Sequence, residues 1–124
     1  MSYQISHSYQ DDVLHITVSG ILNNPDTLLV WHQVVEISHG HRPRAILLEC
    51  SLNADRISMD HCFELIDRLP LLCRLLNCRI AIFGRKIEDE TRDLLKFVET
   101  ATRDRGAKVK LFGAIENARF WLKK

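Results

Sequence analysis

The sequence predicts an α/β fold: a single mixed, mostly parallel five-stranded sheet with four helices, in the order β-β-α-β-α-β-α-β-α. Three observations predict it. Two alternating stretches at the start of the chain are separated by the turn pair Asp11-Asp12, the pattern of an antiparallel hairpin. From Asn24 onward, apolar stretches of strand length alternate with stretches of helical period, which implies parallel strands joined by helical crossovers. The run Ala45-Ile46-Leu47-Leu48 is continuously apolar, which suits a central strand covered on both faces.

Each element has its own justification. Tyr3, Ile5 and His7 share one face of the first strand. Val13, Leu14, Ile16 and Val18 build the second, expected to end at Ser19-Gly20. Asn24-Pro25 starts a helix, because Asn caps free amides and Pro suits the first helical position. Leu28, Trp31, Val34 and Val35 form its apolar face, Gly40 is expected just past its end, and Pro43 prevents continuation. After the third strand a polar loop is expected from Ser51 to Arg56. Cys62, Leu65, Ile66, Leu69, Leu72, Cys73 and Leu76 recur at helical spacing, and Pro70 should kink or restart that second helix. Arg79 to Gly84 is the fourth strand. Glu88-Asp89-Glu90 opens the third helix with negative charge at its positive end, Ile87, Leu94, Leu95, Val98 and Ala101 are its core face, and Gly106 marks its end. Val109, Leu111 and Phe112 make the last strand, and residues 115–122 the last helix.

Bulk properties narrow the function classes. The 124 residues are read as one domain, 1–124, and at 46% hydrophobic they can bury a core without metal or disulfide support. Seventeen basic against sixteen acidic residues leave a formal charge of +1, with no clustered basic footprint for nucleic acid. Met1 to Ile5 show neither a basic cap nor an apolar leader core, and no stretch approaches a membrane span, so a cytoplasmic protein without an integral membrane segment is expected. Cys50, Cys62, Cys73 and Cys78 form no C-x-x-C pair, and each sits in or beside an apolar run. They read as buried packing residues in a reducing compartment, with a disulfide or metal pair of Cys73 and Cys78 as the alternative.

Reactive centres find little support. Gly20, Gly84 and Gly113 sit singly at strand ends, so the glycine-rich phosphate cradle of nucleotide-binding folds is missing. His39 and His41 read as solvated loop histidines and His61 as an exposed helical one, so no metal or other cofactor is called for. A nucleophile such as Ser58 or Cys62, with His61 and Asp55 or Asp60, would crowd into one turn, but neighbouring helical residues do not face one another. No catalytic residue is therefore assigned.

The segment from Cys50 to Ser58 stands apart, because open sheets place functional loops at the C-terminal ends of their parallel strands. Ser58 reads as the N-cap of the second helix, a role whose loss costs ~1 kcal/mol. A phosphate at such a position is also favoured by the free amides and the helix dipole.

Element order, this loop and the closing Lys110-Leu111-Phe112-Gly113 with Ala118-Arg119-Phe120-Trp121-Leu122 resemble the STAS domain superfamily, SpoIIAA-like branch. Its anti-sigma antagonists carry an Asp-Ser-Ser-Gly motif after a strand, with a serine phosphorylated by the partner kinase. Here the stretch reads Asp55-Arg56-Ile57-Ser58-Met59-Asp60, so that Ser58 falls on the first serine, Met59 on the second and Asp60 on the glycine. The resemblance implies a non-enzymatic regulatory or interaction module that binds a protein partner near this loop. Asp55, Arg56, Ser58 and Met59 would be its contacts and Ser58 its phosphorylation site. A lipid or other small apolar ligand beneath the Leu-rich second helix is the alternative, and a small hydrolase or thiol enzyme using Cys62 or Ser58 a third. The free edge of the hairpin also allows a homodimer.

Overall fold

A computed structural model describes residues 3–22, 24–54, 59–84 and 89–123. The elements are β1 (Tyr3–Gln10), β2 (Val13–Leu22), α1 (Asn24–His41), β3 (Ala45–Ala54), α2 (Met59–Leu76), β4 (Arg79–Gly84), α3 (Asp89–Asp104), β5 (Val109–Phe112) and α4 (Ile115–Leu122). The five strands form one sheet in sequential order. β1 and β2 are antiparallel, and every later pairing is parallel. This is the predicted class and element order.

Register follows from a tight turn and two long ladders. Gln10 pairs with Val13, which leaves a two-residue loop. Asp11 (φ 55°) and Asp12 (φ 64°) both take the left-handed conformation that such a hairpin requires. The Asp12 carbonyl accepts the Arg44 amide at 2.9 Å, tying the hairpin to the start of β3.

Parallel neighbours joined by crossovers of one hand collect their helices on one side of the sheet. Val30 and Val34 of α1, Ile66, Leu69, Leu72 and Cys73 of α2, and Val98 of α3 pack there. They meet Leu14, Ile16 and Val18 of β2, Ile46, Leu48 and Cys50 of β3, Ile80 and Ile82 of β4, and Val109 of β5. Among the described residues, the opposite face is covered by α4 alone. Ala118 and Leu122 close over Ala45, Leu47, Ala81 and Phe83. Small residues at Ala45, Ala81 and Ala118 let helix and sheet approach closely. Arg79 fastens the end of α4, donating from Nη1 to the Trp121 carbonyl at 3.2 Å and lying 5.4 Å from the centre of its ring. The corresponding face of β1 is uncovered: Gln4, Ser6, Ser8 and Gln10 are exposed there.

Several element ends differ from the sequence expectation. β2 continues past Gly20 to Leu22, and β3 past Leu48 to Ala54, because the two strands pair in parallel over their whole lengths, from Val13↔Ala45 to Leu22↔Ala54. The expected loop at Ser51 is thus strand up to Ala54; a backbone ladder is indifferent to polar side chains on its open face. α1 runs through Gly40, so His39 and His41 are helical rather than loop residues. It ends where Arg42 (φ 49°) donates its amide to the Ser38 carbonyl at 2.9 Å, and Pro43, lacking an N–H, ends the pattern. α2 does not restart at Pro70. Ile66 and Leu69 before it and Leu72 and Cys73 after it are all buried, which offsets the lost hydrogen bond. Ile87 of the expected α3 face lies outside the described residues, whereas Gly106 (φ 84°) does end the helix. Its amide reaches the Arg103 carbonyl at 2.9 Å, and the Ala107 amide reaches that of Thr102 at 3.0 Å.

Leu48 is 2% exposed at the centre of the sheet, whereas Leu71 on the outer side of α2 is 54% exposed. In urea titrations, Leu48→Ala should lower the unfolding free energy by about 2–5 kcal/mol. Leu71→Ala should stay within about 0.5 kcal/mol of wild type.

Candidate functional site

Because β2 to β5 are parallel, all four strands deliver their C-terminal ends to one end of the sheet. β3 is the middle strand. It stops at Ala54, and α2 starts at Met59, so the chain between them departs from the centre of that end. Three of the predicted contact residues, Asp55, Arg56 and Ser58, lie outside the described residues. Met59 is the first residue of α2, and its side chain, like those of Asp60, His61 and Cys62, lies outside the described set. The expected capping role of Ser58 falls outside it as well.

The described residues add a feature at this end that sequence reasoning missed. A cleft of about 370 Å³ opens where β4 and β5 finish beside α3, lined by Gly84, Arg92, Lys96, Leu111, Phe112 and Gly113. Arg92 and Lys96 are one helical turn apart and both exposed, so they project on the same side of α3. Asp89 approaches Arg92 at 3.9 Å, a loose, solvated pair worth little. The i, i+4 spacing of two cations was a readable signal; that the chain brings them beside Gly84 and Gly113 was not. Behind the cleft, Glu99 Oε2 accepts the Leu111 amide, satisfying a donor on the edge strand.

The interior side of the site is chemically quiet. Cys50 is buried in β3, and burial, helped by the adjacent Glu49 carboxylate, pushes its thiol up to about 12. A thiol so placed stays protonated at neutral pH and is a packing residue. Glu49 points to the opposite face, where Oε1 lies 3.3 Å from His15 Nε2 of β2. Cys73 and Cys78 are also buried. Among the described residues, no group of three or more His, Cys, Asp or Glu side chains is placed to hold a metal ion. No described helix is long and apolar enough to cross a membrane.

No protein-family model matches the sequence, and no curated protein matches it either. Solved structures do match. An anti-sigma factor antagonist from Mycobacterium paratuberculosis superposes with a TM-score of 0.66 at 14% identity, over 99% of this chain and 96% of that one. The chain has the STAS/SpoIIAA-like fold. An uncharacterised protein of SpoIIAA-like fold from Shewanella loihica agrees, with a TM-score of 0.54 at 18% identity over 98% of this chain and 93% of that one. Within this STAS-like fold, the strand and helix closing the chain occupy the predicted residues. Leu122 is a buried anchor, and Trp121 packs against Phe112 with ring centres 5.6 Å apart and planes tilted by 51°.

The raised Cys50 pKa has a definite sign in the pH dependence of stability. The folded thiol keeps its proton above the ordinary value of 9.0, so the unfolded state binds fewer protons between pH 9 and about 12. The stabilisation is fully present below pH 9 and is lost as pH rises through that window. The difference in unfolding free energy between wild type and Cys50→Ala, followed by urea titration at stepped pH, should therefore be constant below pH 9. Above it, the difference should shift progressively against the wild type.

Proposed function

We propose that the chain is a non-enzymatic regulatory module that binds a protein partner at the C-terminal end of its sheet. Asp55, Arg56, Ser58 and Met59 would be the principal contacts, and Ser58 the phosphorylation site. The observation that carries this reading is positional. The polar segment between β3 and α2 leaves the middle strand of the sheet, at the end where four strands finish. Fold likeness to an anti-sigma factor antagonist supports a protein partner as the ligand class. Arg92 and Lys96 beside Gly84 and Gly113 give the same end a cationic flank, suited to acidic side chains of a partner. The unpaired thiols Cys50, Cys73 and Cys78 suit a cytoplasmic setting.

The apolar-ligand alternative is less favoured. Ile66, Leu69 and Leu72, the residues a displaced α2 would have to surrender, are 1–3% exposed and already packed into the core. The residues of the enzyme alternative, Ser58 and the Cys62 side chain, lie outside the described residues. Self-pairing through β1 remains compatible with this reading, because the outer edge of that strand has no pairing partner among the described residues and carries no Lys, Arg, Asp, Glu or Pro.

Affinity capture from native lysate, with wild type beside a Ser58→Glu/Met59→Arg double variant, tests the reading. The double variant should lose the wild-type partner by tenfold or more while staying folded, its melting temperature lowered by no more than the few degrees that loss of a ~1 kcal/mol helix cap entails. Equal recovery of the same partner by both proteins places the contact surface elsewhere.

A further inference from the structure

The two edges of the sheet are finished differently. β5 is four residues long, carries Lys110, and gives its Leu111 amide to Glu99 Oε2. Short length, a charged side chain and a side-chain partner for the free amide all hinder pairing with another chain. β1 has none of them. It is eight residues long, without Lys, Arg, Asp, Glu or Pro, and its register with β2 runs unbroken from Tyr3↔Gly20 to Gln10↔Val13. Among the described residues, nothing pairs with its outer edge. Gln4, Ser6, His7, Ser8 and Gln10 are exposed, so that edge is open to approach.

The hairpin fixes which backbone groups the edge offers. A two-residue loop with both residues left-handed closes on a hydrogen-bonded pair, here Gln10 and Val13. Hydrogen-bonded and non-hydrogen-bonded pairs then alternate along the ladder. Gln4, Ser6, Ser8 and Gln10 therefore bond inward to β2, and the amides and carbonyls of Tyr3, Ile5, His7 and Tyr9 point outward. On the helix side of the same strand, Tyr3 is buried, and Ile5 and Tyr9 pack against the core.

We propose that β1 pairs antiparallel with β1 of a second copy of this chain, about a two-fold axis at Ser6, joining the two sheets into one. An antiparallel ladder between identical strands is two-fold by construction, so the contact is isologous and closed. The protected β5 edges stop the joined sheet from growing further. Two identical edges also meet here without like charges opposite each other, because the strand carries no Lys, Arg, Asp or Glu. With the axis at Ser6, Tyr3 stands opposite the partner subunit's Tyr9, and Ile5 opposite the partner subunit's His7. All the outward-facing residues then occupy hydrogen-bonded positions, and the aromatic pair adds to the ladder. An axis at His7 would instead oppose two imidazoles, each already against a His41 ring at 5.4 Å. It would also set Tyr3 against the partner subunit's Asp11, a turn residue with φ 55° that cannot continue a strand. The exposed row Gln4, Ser6 and Ser8 becomes continuous across the axis on the open half of the second face. This inference is independent of the partner-binding reading, because β1 lies at the sheet edge and the segment after β3 leaves the middle strand.

Sedimentation equilibrium of the purified chain tests the assembly. A single ladder buries less surface than an obligate interface. The average mass should therefore rise from one chain toward two, and no further, as concentration increases through the micromolar range. His7→Pro removes an outward amide without touching the bonds to β2, and should raise the dimer dissociation constant about tenfold or more. His7→Ala keeps that amide and should dimerise like wild type. Mild oxidation of single substitutions reads the register on a non-reducing gel, with wild type as the control. Ser6→Cys should give a reducible dimer, because two Ser6 Cα atoms at a non-hydrogen-bonded pair lie about 4.5 Å apart. Ser8→Cys should not, since its two copies would lie about 14 Å apart along the strands. A single-chain mass at every concentration, as for an edge reserved for another protein's strand, would overturn the proposal. So would masses beyond two chains, a His7→Pro dimer as tight as wild type, or faster cross-linking at Ser8 than at Ser6. The wild-type mass and the two exposed cysteine positions decide the outcome even if His7→Pro fails to fold.

Discussion

The structure depends on burying the middle strand from both sides. β3 alternates Ile46, Leu48 and Cys50 toward one face with Ala45 and Leu47 toward the other. A strand with parallel neighbours on both edges is stable only where helices cover both faces, since its polar backbone is satisfied within the sheet and its side chains are apolar in both directions. Three crossovers between adjacent strands load one face with α1, α2 and α3, leaving the second face to α4. An eight-residue helix cannot span five strands. It covers β3, β4 and β5, and the far side of β1 is accordingly Gln4, Ser6, Ser8 and Gln10. Polarity on that strand is the counterpart of the short closing helix.

The same layering separates quiet chemistry from available chemistry. Groups between the layers are neutralised or consumed locally. Cys50 keeps its proton, and the buried hydroxyl of Thr102 donates to the Val98 carbonyl at 2.7 Å within its own helix. Charged groups gather instead at the two ends of the strands. One end collects the segments after β3, β4 and β5, with Arg92 and Lys96 on the flank. The other brings Arg44, Arg79, Lys108 and Lys123 together with Asp11 and Asp12 of the hairpin turn. A fold of this kind does not name a reaction. It does set which side chains share an end of the sheet.

Part of this was legible in the residues. The bounds of β4, β5 and α4 match the predicted stretches, since each is a short apolar run or a helical stripe with clear punctuation. The ends of β2, β3 and α1 were misread for a common reason. Gly20, Ser51 and Gly40 look like terminators by residue type, but a neighbouring strand or an undistorted helical turn satisfied their backbones. The candidate site was legible only as a position in the chain, through the polar segment after the third strand and its likeness to a known motif. The flank at Arg92 and Lys96 was hidden, because it depends on α3 returning beside the ends of β4 and β5. Cys73 and Cys78 were visible as a spacing with two readings.

By itself, the sequence determined the kinds of elements, their order and the buried stretches of β3 and β4. These follow from the period of apolar side chains and from local capping, both properties of neighbouring residues. Tertiary structure decided where strands stop and which half of the second face stays open. Those outcomes rest on backbone pairing and on contacts between segments distant in the chain, which no local pattern of side chains encodes.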